Sequence, residues 1–337
     1  MSRKTKIWLI MAVFLMLIGC IIFVGAMTVL NWDFEKLSTV KYETNNYEIN
    51  EDYKKISIMT DTADILFVPS ENAKSTVICH EQKNTKHSVK VSDGTLLIET
   101  VDTRKWYEHI GINLGSTKIT VYLPKAEYSS LLINESTGNI KIPKDFKFGD
   151  VNITLSTGDV YFSAEASKPV KIKTSTGNIC VENASIEALE LSATTGRISV
   201  SNVICSEDMR LKISTGKTNL KNIQCKNLIS NGSTGDISLN SVIATEKFTI
   251  KRSTGDVNFN HSDAAEISVD TDTGDVTGSL LTEKVFITQT DTGNIDVPKT
   301  VNGGKCEIST DTGDIKIFKI TLKPTGEVKT PPVKYRQ

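Results

Sequence analysis

Five aspartates lie beside glycines in a short motif that recurs toward the end of the chain. Asp272, Asp291 and Asp311 each stand two residues before a glycine, and Asp275 and Asp314 directly follow one. Carboxylate oxygens are typical calcium ligands, and paired carboxylates perform glycoside hydrolysis. Hydrolysis, however, needs an acid and a base in different environments, whereas these aspartates repeat uniformly. We therefore expect solvated carboxylates that cap turns, and we keep a divalent-ion edge and a glycan-cleaving site as alternatives.

Cysteine and histidine residues provide the other candidate chemistry. Cys79, His80 and His87 are close in sequence. A zinc site needs four protein ligands, or three and a water, and no second such group is nearby. We expect ordinary strand residues here, and assign no catalytic, cofactor-binding or metal-binding residue. Cys205 and Cys225 each lie nine residues after a recurring glycine. They are therefore predicted neighbours, either as a disulfide or as buried free thiols.

The recurring glycine belongs to a Thr-Gly pair that returns ten times at intervals of 19 or 20 residues. Such a fixed period is the signature of a stacked repeat protein. Apolar residues alternate with polar ones on both sides of each pair, which predicts two strands per repeat, each with one buried face. The pattern thus predicts an all-β protein, a parallel β-solenoid with coils of about 19 residues. The ten glycines are Gly138, Gly158, Gly177, Gly196, Gly216, Gly235, Gly255, Gly274, Gly293 and Gly313.

Glycine at the second central position of a turn predicts a corner rather than a hairpin tip. A type II turn needs positive φ only at that position, where glycine has no steric penalty. A type I′ hairpin would also require positive φ at the threonine, so an antiparallel meander remains the second interpretation. Stacked coils place equivalent side chains about 4.8 Å apart. Asn183, Asn202 and Asn222, each six residues after a glycine, are therefore expected to form an amide ladder.

Residues 7–30 carry no charged side chain, and their 24 residues are long enough to cross a bilayer as a helix. Three basic residues precede them, which predicts a cytoplasmic tail at 1–6, a transmembrane helix at 7–30 and an extracytoplasmic remainder. A cleaved signal peptide is one alternative. Lipid attachment at Cys20 is another, because the four residues ending there resemble a lipobox. The basic residues are Arg3, Lys4 and Lys6.

Outside the regular coils the pattern weakens. Residues 60–65 look like a worn copy of the corner motif, as expected of the irregular end of a solenoid. Residues 102–116 interrupt the alternation and are expected to form a loop or short helix. The predicted parts are a stalk at 31–50, irregular β coils that cap the solenoid at 51–130, the regular solenoid at 131–320 and a flexible tail at 321–337.

The layout resembles the bacterial putative-adhesin, or LiaG-like, β-strand-repeat family, whose function is unknown. The features that carry the likeness are the single apolar segment, the strands at 64–69 and 119–124, each ending in proline, and the Thr-Gly coils that follow. The likeness covers residues 40–320 approximately. It implies a protein of the bacterial cell envelope, in some members associated with envelope-stress systems. The family has no catalytic motif to carry over.

These observations together favour a non-enzymatic, membrane-anchored protein of the cell envelope. Its solenoid would present a rod-like surface for adhesion, or for a partner protein or cell-wall polymer. An envelope-stress signalling accessory or a structural spacer is the alternative, and a glycan-active enzyme is a further one. The net charge of −1 argues against a nucleic-acid partner, and no cofactor is predicted.

Overall fold

The computed structural model describes residues 3–33, 40–71, 74–104 and 115–319. Within them, one helix, α1 (Arg3–Val29), precedes 25 strands. The tail expected at 321–337, most of the segment at 102–116 and part of the stalk lie outside the described residues. The strands before the regular coils are β1 (Tyr42–Ile49), β2 (Lys55–Thr62), β3 (Asp64–Pro69), β4 (Ser75–Gln82), β5 (Thr85–Ser92), β6 (Thr95–Asp102) and β7 (Lys118–Leu123).

The regular coils contain the remaining strands, and each coil has one strand on either side of its corner glycine. In chain order they are β8 (Glu127–Thr137), β9 (Ile140–Ile142), β10 (Lys147–Thr157), β11 (Val160–Phe162), β12 (Glu165–Ala166), β13 (Val170–Thr176), β14 (Ile179–Ile186), β15 (Leu189–Thr195), β16 (Ile198–Cys205), β17 (Met209–Thr215), β18 (Thr218–Thr234), β19 (Ile237–Thr254), β20 (Val257–Thr273), β21 (Val276–Leu280), β22 (Lys284–Thr292), β23 (Ile295–Asp296), β24 (Gly304–Thr312) and β25 (Ile315–Lys319).

Helix α1 contains the whole apolar run except its last residue. Its most apolar window has a mean hydropathy of 3.0, so its length and composition suit a membrane span. The helix ends where Asn31 and Trp32 adopt positive φ values of 54° and 59°. Such left-handed residues stop a helix and leave its last carbonyls to bond with the following N–H groups. Accordingly, the N–H of Trp32 donates to the carbonyl of Met27 at 2.8 Å.

Strands of successive coils pair in parallel, with equivalent repeat positions side by side. Val151, for example, pairs with Leu131 on one side and Val170 on the other, and all three stand seven residues before their glycine. This register confirms the parallel β-solenoid. Within the described residues, antiparallel pairing joins only β1 to β4, β4 to β5 and β7, and β5 to β6, all at the N-terminal end. The antiparallel meander is therefore wrong.

Every second side chain along the strands points inward, and these side chains form a continuous apolar strip in the interior. On β13, Val170 and Ile172 are buried, whereas Lys171 and Lys173 between them are exposed. The same alternation on the other coils gives a core of Ile, Val, Leu and Phe that extends from β2 to β25. Because each coil covers the apolar face of its neighbour, no single coil can bury that face alone.

The corner glycines are required by both backbone conformation and space. All ten have positive φ, between 123° and 156°, as expected, but wider than the value of about 80° in a type II turn. The glycine N–H can also bond to the adjacent coil: Gly158 N donates to Thr176 O at 2.9 Å. A Cβ on Gly158 would also lie 1.9 Å from the carbonyl oxygen of Gly138. Any other residue would therefore separate the stacked corners.

At the N-terminal end, the first coil of the chain is not the outermost layer. Strand β2 lies between β6 and β8, and β3 lies between β7 and β9. Thr62 pairs with Thr137, and Ala63 stands where the other corners have glycine. This arrangement confirms that residues 60–65 are a worn corner. The layer outside it, β6 and β7, and the antiparallel strands β1, β4 and β5 form what we call the cap.

At the C-terminal end, the last two coils exchange places. Strand β24 pairs with β20 on one side and β22 on the other, so the Gly313 coil lies between those of Gly274 and Gly293. The sequence period could not predict this exchange, since it contains no information about which layer is outermost. A buried ion pair fastens the crossing: Lys284 Nζ lies 2.7 Å from Asp263 Oδ1, and Asp263 Oδ2 accepts from Thr282 N at 2.6 Å.

Candidate functional site

A shallow groove runs along the solenoid beside the second bend of each coil, and we call it the side groove. It consists of two depressions, of about 460 Å³ and about 320 Å³. They meet where Ser185, in the second, pairs with Ile204, in the first. The first is lined by Asn202, Ile204, Asn222, Ile223, Gln224, Ser241 and Ile243. The second is lined by Glu127, Lys147, Phe148, Glu165, Ala166, Ser167 and Ser185.

The rim of the side groove is the predicted amide ladder. Asn202 Nδ2 donates to Asn183 Oδ1 at 3.0 Å, and Asn222 Nδ2 donates to Asn202 Oδ1 at 2.9 Å. The three asparagines have φ of 53–54°, a left-handed conformation that asparagine tolerates better than most residues. The ladder is therefore confirmed. Ser241 and His261, at the same repeat position, continue the left-handed column with φ of 56° and 51°.

The floor of the side groove changes character along its length. Near the amide ladder it is partly apolar, with Ile204 55% exposed. Toward the cap it is charged, where Lys147 Nζ lies 2.7 Å from Glu165 Oε2. The pKa of Lys147 is raised by its hydrogen bond to that carboxylate. The groove thus offers amides, aliphatic surface and charge in succession.

The aspartates that follow the corner glycines cap the backbone of the next coil. Asp275 N donates to Asp256 Oδ1 at 2.9 Å, and Asp314 N donates to Asp275 Oδ1 at 2.8 Å. The pKa of Asp314 is lowered by its hydrogen bond to Lys316 and by the N–H of Asn294. Turn capping, as expected from the sequence, accounts for Asp275 and Asp314.

The aspartates two residues before the glycines form an exposed column in the order Asp272, Asp311, Asp291. Within the described residues, one group of three ligand-type side chains comes within 4.8 Å, and it does not include these aspartates. They also occupy equivalent positions, so nothing separates an acid from a base as hydrolysis of a glycan requires. The calcium edge and the glycan-cleaving site gain no support from this geometry.

The cysteine and histidine positions divide into two groups. Cys205 and Cys225 lie on adjacent coils as buried free thiols, and burial raises the pKa of each to about 12. Cys79 and His87 come together inside the cap with Glu81, which the sequence interpretation missed. The strand period would have found it, because residues 79 and 81 share a face of β4. His80 lies on the opposite face, stacked on Tyr42 with ring centroids 5.3 Å apart.

The geometry agrees with comparisons to known proteins. The model of the family described as Toastrack DUF4097 matches residues 53–222 and 206–325. The match begins at the first coil and includes the side groove, the exchanged coils and all strands of the cap except β1. No curated protein matches the sequence.

The solved structures that match this chain have low sequence identity. A protein of Parabacteroides distasonis ATCC 8503 named putative lipid binding protein is 19% identical, with a TM-score of 0.51, covering 72% of this chain and 98% of its own. A putative adhesin of Bacteroides fragilis NCTC 9343 is 15% identical, with a TM-score of 0.40, covering 82% and 97%. A putative adhesin of Parabacteroides merdae ATCC 43184 is 14% identical, with a TM-score of 0.38, covering 71% and 96%. The first of these likenesses extends to the fold alone.

Proposed function

The chain belongs to the Toastrack DUF4097 family, and we propose that it is a membrane-anchored, extracytoplasmic protein of the bacterial cell envelope whose side groove binds a linear polar polymer of the cell wall. The observation that carries this proposal is the continuity of the groove over several coils. A partner protein that docks an extended segment in the same groove is the alternative occupant.

The chemistry of the side groove suits a long, repetitive, polar ligand. Its asparagine amides recur at the coil spacing of about 4.8 Å, so a linear chain lying along the axis meets the same donor and acceptor at each step. The exposed face of Ile204 offers apolar contact to the less polar side of such a chain. Because the coils that line the groove are held by parallel pairing on both sides, the groove is already formed before a ligand arrives.

The anchor is assigned to α1. The helix is long and apolar enough to span a bilayer, and the basic side chains Arg3, Lys4 and Lys6 precede its apolar run. Basic flanks remain in the cytoplasm, which would place the solenoid outside. The names of the similar structures, adhesins and a lipid-binding protein, are compatible with that location.

A non-enzymatic role is supported by the uniformity of the acidic positions. Asp272, Asp311 and Asp291 are exposed and equivalent, and Asp275 and Asp314 cap turns. Neither set supplies the pair of differently placed acid and base on which glycosidases depend. Neither the family description nor the names of the similar structures refer to an enzyme.

Sedimentation of the full-length protein, in detergent, with insoluble cell-wall polymer tests the proposal. We expect Ile204→Glu to reduce the bound fraction at least about fivefold, since it places a charge in the centre of the apolar floor. Ser199→Glu, on the same strand but facing outside the groove, is the matched control and should bind as the wild type does. Equal binding by both variants, or no binding by the wild type, would contradict the groove as the site. If the full chain restores the phenotype of a deletion strain and the chain without α1 does not, the result would favour the signalling accessory.

A further inference from the structure

Three buried side chains with different ligand atoms converge inside the cap. The thiol of Cys79, the carboxylate of Glu81 and the imidazole of His87 have ligand atoms within 4.8 Å of one another. Cys79 and Glu81 are 0% exposed, and His87 is 4% exposed. Cys79 and Glu81 project from the same face of β4, and His87 comes from β5 after a tight turn. Strand pairing therefore fixes all three positions.

Hydrogen bonds from β1 orient the Glu81 side chain and hold the backbone of His87. Asn45 Nδ2 donates to Glu81 Oε1 at 2.6 Å, and Tyr47 hydroxyl donates to the carbonyl of His87 at 3.0 Å. Both partners come from β1, which pairs antiparallel with β4. Such outer contacts are characteristic of metal ligands, whose donors are oriented by a second set of hydrogen bonds.

No lysine or arginine forms an ion pair with this cluster in the described residues. The ion pair of Glu81 there is with His87, at 2.6 Å between Oε2 and Nδ1. Lys86 pairs directly with Glu43 at 2.5 Å, and Glu81 contributes to its raised pKa only at longer range. Tyr47 also faces the cluster, and it contributes a neutral phenol. A buried carboxylate beside a thiol that can ionise leaves room for a cation.

We propose that Cys79, Glu81 and His87 bind a divalent transition-metal ion, with zinc as the best fit. Sulfur, nitrogen and oxygen donors together suit zinc, whereas calcium and magnesium select oxygen alone. Three protein ligands leave one tetrahedral position for water. A polar cavity of about 180 Å³ reaches His87 from the side of Thr85 and Thr100, and Oγ1 of each threonine is buried without a hydrogen-bond partner.

Metal binding requires a small movement and a change of protonation. Tetrahedral zinc places neighbouring donors roughly 3.3–3.6 Å apart, so the 2.6 Å contact between Glu81 and His87 must open by less than about 1 Å. The Cys79 thiol loses its proton to solvent as the metal–sulfur bond forms. The imidazole binds the ion through an Nδ1 that carries no proton. Protons are therefore released as the ion binds, and affinity rises with pH.

The site would cross-link two strands of the cap. Strand β4 carries two of the ligands and pairs with β7, while β5 carries the third and pairs with β6. Strands β6 and β7 are the layer outside the first coil. An ion held between β4 and β5 would connect these two strands, which have few other cross-links across the turn between them.

Cobalt titration of the full-length protein in detergent, after removal of metal with a chelator, tests the proposal. Cobalt reports thiolate ligation through a near-ultraviolet charge-transfer band and tetrahedral geometry through visible absorption. We expect one equivalent of cobalt to bind, zinc to displace it, and affinity to weaken as the pH is lowered. Cys79→Ser should abolish the charge-transfer band, and Asn45→Ala should weaken binding about 10–100-fold.

His80→Gln is the matched control, because it changes a histidine of the same strand on the opposite face. It should keep both the band and the affinity. A wild-type chain that retains no cobalt on gel filtration overturns the proposal, and this result does not depend on any variant folding. Retention of the charge-transfer band in Cys79→Ser, with native circular dichroism, also overturns it.

Discussion

Inside the solenoid, Nη2 of Arg252 donates a 2.9 Å hydrogen bond to Oγ of Ser230 on the neighbouring coil. The guanidinium is 3% exposed, and burial lowers its pKa to about 10. Ser230, Thr218 and Gly232 are departures from the apolar pattern of the repeat, and all three lie around this side chain. The exceptions in three repeat positions therefore have one cause, the space and hydrogen bonding that a buried arginine requires.

Gly232→Ala tests this relationship. A Cβ at Gly232 would lie 2.5 Å from Nη1 of Arg252, and the bonded, buried guanidinium has little room to move. We expect a loss of about 1–3 kcal/mol in the free energy of unfolding, measured with urea. The same change in an Arg252→Met background should cost less, because the crowding atom is absent. Equal costs in the two backgrounds would show that the glycine serves another purpose.

Two glycine substitutions distinguish the cost of a close contact with a neighbouring backbone from the cost of a positive φ alone. Gly196 has a φ of 146°, and its Cβ would lie 1.9 Å from the carbonyl oxygen of Gly177. Gly94, in the turn between β5 and β6, has a φ of 68° with open space around it. We expect Gly196→Ala to cost at least about 3 kcal/mol and Gly94→Ala only about 1–2 kcal/mol. Similar thermal stabilities for the two variants would contradict the stacked-corner explanation.

Glu135 makes stability depend on pH. Its side chain is 2% exposed, and burial raises its pKa from 4.5 to about 8. The folded state therefore keeps a proton that the unfolded state has lost, so stability falls as pH rises from about 4.5 to about 8. Glu135→Gln imitates the protonated form and should remove a penalty of about 2–4 kcal/mol at the upper end.

Unfolding measured over this pH range checks the prediction. The variant and the wild type should have similar stability at the acidic end and diverge progressively above it. A difference that stays constant with pH would mean that Glu135 is ionised in the folded protein throughout. The hydrogen bond from Ala63 N to Oε1, at 3.0 Å, is retained by either side chain.

Lys284→Met should loosen the exchanged coils. The substitution leaves Asp263 buried without its cation, and we expect a cost of about 3–5 kcal/mol. Lys316→Met removes an exposed pair, with Asp314 at 2.6 Å, and should cost less than about 1 kcal/mol. Hydrogen exchange should show faster exchange in β22 and β24 for the first variant alone. Matching exchange rates in the two variants would argue against a fastening role.

The repeat pattern predicts most of the solenoid because each rule it uses is local. Glycine spacing, period-two alternation and the recurring asparagines indicate corners, buried faces and the amide ladder, and the structure confirms each. The worn corner at Ala63 was also recognisable, since its neighbours keep the repeat positions of the later coils.

The repeat pattern could not predict features that depend on contacts between residues far apart in the sequence. Nothing in the spacing of Gly274, Gly293 and Gly313 says which coil lies between the others. Closeness in sequence points to Cys79, His80 and His87 and not to Glu81. A strand, however, places every second residue on one face, so Glu81 lies beside Cys79 and His80 does not. Thr218 and Ser230 depart from the apolar pattern, but Arg252, which explains them, is 34 and 22 residues away in sequence.

The exchange of layers at both ends alters how the solenoid can come apart. A simple stack peels from its first or last coil, each held on one side only. Here the coils nearest the two chain ends, built from β2 and β3 and from β24 and β25, each lie between two others. A nascent chain cannot seat the Gly293 coil in its final place until the residues through β25 have left the ribosome. Once they are in place, a force on the C-terminal end acts on strands that are paired along both edges, so the solenoid resists unzipping from that terminus.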